Sequence, residues 1–187
     1  MQSNVARRAN GRALVALLAL SPLFWTITAC ADTIRIVALG ASNASGYAVG
    51  PGQAWPVQLE GMLRAKGYNV SVTVNAVNGA TSVAVLRLAS SIPAGTQIVV
   101  YDLGRGNDID QGIDDQTRGI KLQVDQRVRE QGAIPIFVAY SRIVGSESEN
   151  KSAWRPNDPH HHLTAESHAK VAAALLPQVI AAIGNRR

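Results

Sequence analysis

The chain has 187 residues, of which 47% are hydrophobic, and this composition suits one domain with a sizeable core. Setting aside Arg7, Arg8 and Arg12 of the N-terminal segment leaves 15 basic against 13 acidic residues, and no run of lysine and arginine interleaved with aromatics occurs, which argues against a nucleic-acid partner. Cys30 is the only cysteine, which excludes an intramolecular disulfide.

Residues 1–31 have the composition of an export signal. Three arginines give a positive start, residues 13–28 are mostly apolar, and small residues follow. Residues 29–31 fit the small-x-small pattern of signal peptidase, whereas residues 27–30 resemble a bacterial lipobox in which Cys30 would be lipidated. An uncleaved membrane anchor is disfavoured because the apolar stretch is shorter than the ~20 residues that span a bilayer. We expect a bacterial protein exported to the periplasm or the cell exterior, with an outer-membrane lipoprotein as the alternative.

Residues 32–187 are predicted to form one α/β domain in which strands and helices alternate. Apolar patterns predict strands at residues 33–39, 68–75, 97–103 and 133–139, and helices at residues 53–66, 81–91, 114–130 and from Thr164 to about residue 183. This alternation implies a parallel sheet flanked by helices, with the functional loops at the carboxyl ends of the strands. Pro135 lies inside the fourth strand and lacks the N–H that a ladder needs, so this strand is expected at an edge.

The first of these loops contains a serine directly after a buried strand. Ser42 follows the apolar run 33–39, and Gly40 and Gly46 allow the backbone to turn closely around it. The hydroxyl could therefore stand exposed beside free N–H groups and act as a nucleophile. An ordinary Gly/Ser/Asn turn is the alternative interpretation.

Three later loops carry groups that acyl-transfer chemistry uses. Gly79 precedes a predicted helix and offers a backbone N–H to an anion, and Asn107 offers a side-chain amide after the third strand, although asparagine in a glycine-rich loop often only caps a turn. The loop 157–164 supplies an acid, Asp158, and three consecutive histidines. A metal site at residues 160–162 is disfavoured because successive residues point to opposite sides and no cysteine or second carboxylate lies close in sequence.

Taken together, these loops resemble the four ordered blocks of the SGNH (GDSL-type) hydrolase family. The matching segments are residues 40–46 (GASNASG), 78–81 (NGAT), 106–108 (GND) and 158–164 (DPHHHLT). The resemblance implies a three-layer α/β/α fold of flavodoxin-like kind and a Ser-His-Asp triad without a cofactor or metal.

In the roles that this resemblance implies, Ser42 is the nucleophile. The N–H groups of Ser42 and Gly79 and the amide of Asn107 form the oxyanion hole, and Asp158 orients a histidine that acts as base. The family's Asp-x-x-His spacing selects His161, whereas its register counted back from the helix that starts after Thr164 selects His162. We take His162 as the base, because the distance to the helix is fixed by geometry, and keep His161 as the alternative.

Two residues depart from the family pattern. Ala41 stands where the family usually has an aspartate before the nucleophile, and Arg105 stands where a glycine is usual. Arg105 either binds an anionic group of the substrate or lies on the surface.

The segment 140–156 is short and polar, so the family's usual fifth strand and the helix before it are expected to be missing. A sheet of about four strands would leave the site open on one side and favour a shallow cleft for short acyl or aryl esters over a deep pocket. The predicted function is hydrolysis of small ester or thioester substrates. The alternative is a non-catalytic binding protein of the cell envelope that retains the fold.

Overall fold

The computed structural model describes residues 32–185, and the predicted export signal lies outside this part of the chain. Its sheet has the four strands that the sequence predicts, all parallel, in the order β2-β1-β3-β4. The strands are β1 (Ile34–Gly40), β2 (Val70–Ala76), β3 (Ile98–Tyr101) and β4 (Ile134–Phe137). The prediction of a parallel sheet is confirmed.

The register of the strands brings their carboxyl ends to one edge of the sheet. Leu39 at the end of β1 is paired with Asn75 of β2 on one side and with Tyr101 of β3 on the other, and Tyr101 is paired with Phe137 of β4. β1 lies between β2 and β3, so the connection from β1 leads to one side of the sheet and the later strands lie on the other side. Such a switch point in the strand order leaves a crevice outside the carboxyl ends of the strands. The loops after β1, β2 and β3 therefore meet above β1.

Helices cover both faces of the sheet. They are α1 (Ser42–Ser45), α2 (Trp55–Ala65), α3 (Ser82–Leu88), α4 (Arg105–Asp110), α5 (Thr117–Glu130), α6 (Tyr140–Val144) and α7 (Ala165–Gly184). Successive residues of β1 point into two separate cores, as the two-residue period of a strand requires: Ile36 and Ala38 pack with α2 and α7, and Val37 and Leu39 pack with α3 and α5. The three-layer α/β/α arrangement is thereby confirmed.

The edge position predicted for the fourth strand is correct. β4 has β3 as its only neighbour in the described sheet, so the missing N–H of Pro135 is tolerated there. The expectation for the following segment is wrong in one respect, because a short helix, α6, is present where none was expected. Among the described residues no fifth strand follows α6, and the segment forms only an isolated bridge between Trp154 and Leu163.

Helix α7 starts at a fixed point relative to the histidine loop. The Thr164 side chain accepts a hydrogen bond from the N–H of Ser167 at 3.3 Å, which is an N-cap worth about 1 kcal/mol. The helix is long and apolar enough to cross a membrane by length and composition alone. Val171, Leu175 and Val179 on it are nevertheless fully buried in the domain core.

Candidate active site

Ser42 begins the short helix α1 immediately after β1. Ala41 before it is extended, and Gly46 ends the helix in the left-handed conformation with φ of 77°. The backbone thus changes from strand to helix at Ser42, which leaves the first N–H groups of α1 without helical acceptors. The N–H of Ser42 donates to no acceptor in the described part of the chain.

Gly79 and Asn107 stand opposite this turn. A cleft of about 280 Å³ is lined by both residues together with Ser42, Tyr47 and His162, among others. The N–H of Gly79 has no acceptor among residues 32–185. The amide nitrogen of Asn107 donates to the carbonyl oxygen of Ala80 at 2.8 Å, and its second hydrogen remains for another acceptor. The three residues to which the family resemblance assigns the oxyanion donors therefore line one cleft.

The structure pairs His162, rather than His161, with Asp158. Nδ1 of His162 lies 2.7 Å from Oδ2 of Asp158, and the histidine is 4% exposed. His161 turns away with φ of 54°, and its Nδ1 lies 2.6 Å from Oε2 of Glu147 on the surface. Because the carboxylate accepts, Nδ1 of His162 carries the hydrogen and Nε2 is left as an acceptor.

The environment of Asp158 keeps it ionised. Burial raises its pKa, but hydrogen bonds from the N–H of His160 and from the ring of His162, together with the charges of His162 and Arg155, outweigh burial and lower the pKa below its ordinary value. The hydroxyl of Ser42 does not hydrogen-bond the ring of His162, although both line the same cleft. Such contacts tighten in many enzymes only when the substrate binds.

Sequence reasoning missed two contacts that shape this cleft. The ring of Tyr47 packs on the ring of His162 with centroids 4.6 Å apart. Asn43 accepts a hydrogen bond from the N–H of Leu163 at 3.0 Å. Tyr47 and Asn43 lie 115 and 120 positions from their partners, so no local pattern could reveal either contact. The only available signal was that Asn43 belongs to the first block.

The three consecutive histidines point to three different carboxylates. Nδ1 of His160 lies 3.3 Å from Asp110, whereas His161 and His162 contact Glu147 and Asp158. In residues 32–185 no group of three or more histidine, cysteine or acidic side chains converges on a point that could hold a metal ion.

Comparison with solved structures decides the fold. A structure of TesA superposes with a TM-score of 0.65 at 18% identity, covering 79% of this chain and 99% of that one. AlinE4, an SGNH-hydrolase family esterase, superposes with a TM-score of 0.55 at 21% identity, covering 81% and 97% of the two chains. The psychrotrophic esterase EstA from Pseudoalteromonas sp. gives a TM-score of 0.62 at 12% identity, with 80% and 98% covered. The chain has the SGNH-hydrolase fold.

At these identities the similarity shows the SGNH-hydrolase fold and nothing finer. Neither a protein-family model nor a curated protein matches the sequence.

A second and larger cavity opens from Ser42 on the side of β4. Its volume is about 420 Å³, and the apolar part of its wall is formed by Leu103, Ile109, Phe137, Val138 and Trp154. Some polar groups in the wall are already bonded to the protein: the indole N–H of Trp154, for example, donates to the carbonyl oxygen of Gly145 at 3.1 Å. A cavity of this kind suits an apolar group.

Arg105 adds a positive charge to this wall. It is exposed, lines the cavity and forms no ion pair with another residue of the described chain.

Proposed function

We propose that the chain is a serine hydrolase that cleaves ester or thioester bonds in small molecules. The observation that carries this proposal is the 2.7 Å contact between the buried His162 and the partly buried Asp158, at a cleft that also contains Ser42, Gly79 and Asn107. A nucleophile, an oriented base and oxyanion donors in one cleft are the parts that acyl transfer requires. The esterases EstA and AlinE4 share the fold, which supports the proposal.

In the proposed reaction, Nε2 of His162 takes the proton of the Ser42 hydroxyl as Oγ attacks the substrate carbonyl. The negative charge that develops on the carbonyl oxygen is stabilised by the N–H groups of Ser42 and Gly79 and by the free amide hydrogen of Asn107. His162 then gives the proton to the leaving alcohol or thiol. Water, activated by the same histidine, releases the acyl group from Ser42.

The two cavities are suited to the two parts of an ester, the acyl group and the leaving group. The smaller cleft contains His162, which must reach the leaving group, so the larger apolar cavity takes the acyl group. Its volume lies within the roughly 300–1,000 Å³ range of small-molecule sites. We propose short acyl or aryl esters as substrates.

The test is a panel of p-nitrophenyl esters of increasing acyl length, with one half-ester of a dicarboxylic acid and one thioester. Wild-type protein is expected to hydrolyse at least the short neutral esters, and Ser42→Ala is expected to lose this activity without a change in circular dichroism or melting temperature. Preference for the half-ester that disappears in Arg105→Ala would assign Arg105 to an anionic substrate group. Equal hydrolysis by wild type and Ser42→Ala would refute the serine mechanism, whereas no hydrolysis by the wild type would favour a binding protein that retains the fold.

We further propose that the hydrolase is exported. The support is the composition of residues 1–31. Mass spectrometry of the N-terminus after expression of the full chain in a bacterial host distinguishes the two forms of processing: a chain beginning at Asp32 indicates signal peptidase, and a diacylglyceryl group on Cys30 indicates a lipoprotein. An intact N-terminus in the cytoplasm would contradict export.

A further inference from the structure

A buried carboxylate lies directly beneath the candidate nucleophile. Asp102 follows β3, is 4% exposed, and accepts hydrogen bonds at Oδ1 from the N–H of Ala41 at 3.1 Å and from the N–H of Gly104 at 2.9 Å. Its Oδ2 accepts the hydroxyl of Tyr140 at 2.8 Å. The carboxylate also packs against β1, because a Cβ at Gly40 would lie 2.5 Å from Oδ2.

A carboxylate in this position is costly to the fold. Burial raises the pKa of Asp102, and the hydrogen bonds from Tyr140, Gly104 and nearby backbone N–H groups offset burial only in part. An apolar side chain in its place would leave the N–H groups of Ala41 and Gly104 and the hydroxyl of Tyr140 without this acceptor. The acid is therefore required by the groups that it binds.

The two backbone N–H groups that Asp102 binds lie next to candidate site residues. Ala41 immediately precedes Ser42, and Gly104 immediately precedes α4, whose Asn107 carries the candidate oxyanion amide. The N–H of Asn107 also donates to the carbonyl oxygen of Gly104 at 2.9 Å. A single carboxylate oxygen thus joins the turn of the nucleophile to the turn of the oxyanion donor.

We propose that Asp102 and Tyr140 act together as positioning residues that hold Ser42 and Asn107 in their relative places. The family usually has an aspartate at position 41 that structures this turn, and this chain has alanine there. Asp102 supplies a carboxylate to the turn instead. This inference rests on the proposed hydrolase function for its kinetic consequence, although the contacts themselves do not.

The same network continues to the helix that follows the candidate base. The hydroxyl of Tyr140 accepts the indole N–H of Trp55 at 3.0 Å, and the backbone N–H of Trp55 donates to Nδ1 of His168 in α7 at 3.2 Å. Removing the Tyr140 hydroxyl leaves both Asp102 Oδ2 and the Trp55 indole without their partner. The phenol is therefore the point at which the network is best interrupted.

The test compares Tyr140→Phe with Tyr101→Phe. Tyr101 is the matched control because its hydroxyl also donates to a carboxylate, Asp125, at 2.6 Å, but on the opposite face of the sheet. Displacement of catalytic groups by about 1 Å can cost on the order of 10²-fold in rate. We expect Tyr140→Phe to lower kcat at least tenfold and to change KM less than threefold. Tyr101→Phe should keep kcat within twofold of the wild type, even if the melting temperatures of the two variants are lowered by similar amounts.

Asp102→Asn and Asp102→Ala provide the conservative and the disruptive change at the acid itself. The asparagine oxygen can still accept both backbone N–H groups, so Asp102→Asn is expected to retain more kcat than Asp102→Ala. Hydrogen exchange provides a readout without substrate: the amides of Ala41 and Gly104 should exchange at least tenfold faster in Tyr140→Phe than in Tyr101→Phe.

The two proposals fail in different ways. Wild-type protein that hydrolyses no ester would refute the proposed hydrolase function. The comparison of hydrogen exchange in Tyr140→Phe and Tyr101→Phe would still decide whether the network holds the turn. An active wild type with kcat of Tyr140→Phe within threefold of it, or unchanged exchange at Ala41 and Gly104, would overturn the positioning role.

Discussion

Oδ1 of Asn43 accepts a hydrogen bond from the N–H of Leu163 at 3.0 Å. Asn43 is the residue after the candidate nucleophile, and Leu163 is the residue after the candidate base. The loop of the histidine is therefore tied directly to the helix of the serine, across 120 positions of sequence. This bond should hold the separation of Ser42 and His162, because neither residue belongs to the sheet.

Asn43→Ala should consequently lower kcat by about tenfold with a smaller change in KM, since positioning errors below 1 Å already reduce rate. Asn43→Asp keeps an acceptor oxygen and should recover part of the loss. The control is Asn150→Ala, which removes a bond between a side-chain amide and the backbone, from Asn150 to the carbonyl oxygen of Val144 at 2.8 Å, outside the residues that line the smaller cleft. Steady-state kinetics that show equal losses for Asn43→Ala and Asn150→Ala would argue that Asn43 contributes only to stability.

The sequence predicts the four strands and the helices α2, α3, α5 and α7, because each depends on local apolar periodicity. It does not predict the short helices α1, α4 and α6, which lie in segments interpreted as loops. It also places Ser42, Gly79 and Asn107 after β1, β2 and β3, whose carboxyl ends meet at one edge of the sheet, and the histidine loop directly before α7. The contacts of Asn43 and Asp102 could not be predicted. Ala41 and Asp102 lie 61 positions apart, and an acid after a strand has the same sequence pattern whether it faces water or a buried turn.

The histidine register leads to a second prediction. His162→Ala should be nearly inactive, with kcat reduced by at least about 10³-fold, because the base would be lost. His161→Ala should keep most of the activity, since its ring pairs with Glu147 on the surface. Asp158→Asn should reduce kcat more than stability, because an amide can hold the ring but cannot offset the charge of the imidazolium. An inactive His161→Ala beside an active His162→Ala would reverse the assignment.

Asn107 provides a third prediction through its two amide hydrogens. One is bonded to the carbonyl oxygen of Ala80 in the structure and the other is proposed to meet the oxyanion. Removing one oxyanion donor costs on the order of 10²–10³ in kcat, so Asn107→Ala should fall in that range with little change in KM. An effect below about threefold in kcat would remove Asn107 from the oxyanion hole.

A fourth prediction concerns the dependence of stability on pH. His168 is fully buried, and burial, followed by the charge of His162, lowers its pKa to about 4 from 6.5. Nδ1 must accept the N–H of Trp55, so protonation would place two donors against each other. The unfolded chain takes up this proton below its ordinary pKa and the folded chain does not, so stability should fall as pH drops from about 6.5 to 4.

Thermal melts across this range provide the measurement. His168→Asn keeps an acceptor near the position of Nδ1 but has no proton to take up, so its melting temperature should depend less on pH than that of the wild type. His160→Asn, at an exposed histidine, should retain the wild-type slope. Identical slopes for His168→Asn and the wild type would show that this histidine does not govern the acid response.

The central claim is that Ser42 is an activated nucleophile, and a serine-directed fluorophosphonate tests it most directly. Intact-mass and peptide analysis should show one phosphonyl group, located on Ser42, with labelling abolished in Ser42→Ala and strongly slowed in His162→Ala but not in His161→Ala. Wild-type protein that stays unlabelled under conditions that label a known serine esterase, or that labels equally when Ser42 is alanine, would contradict the account.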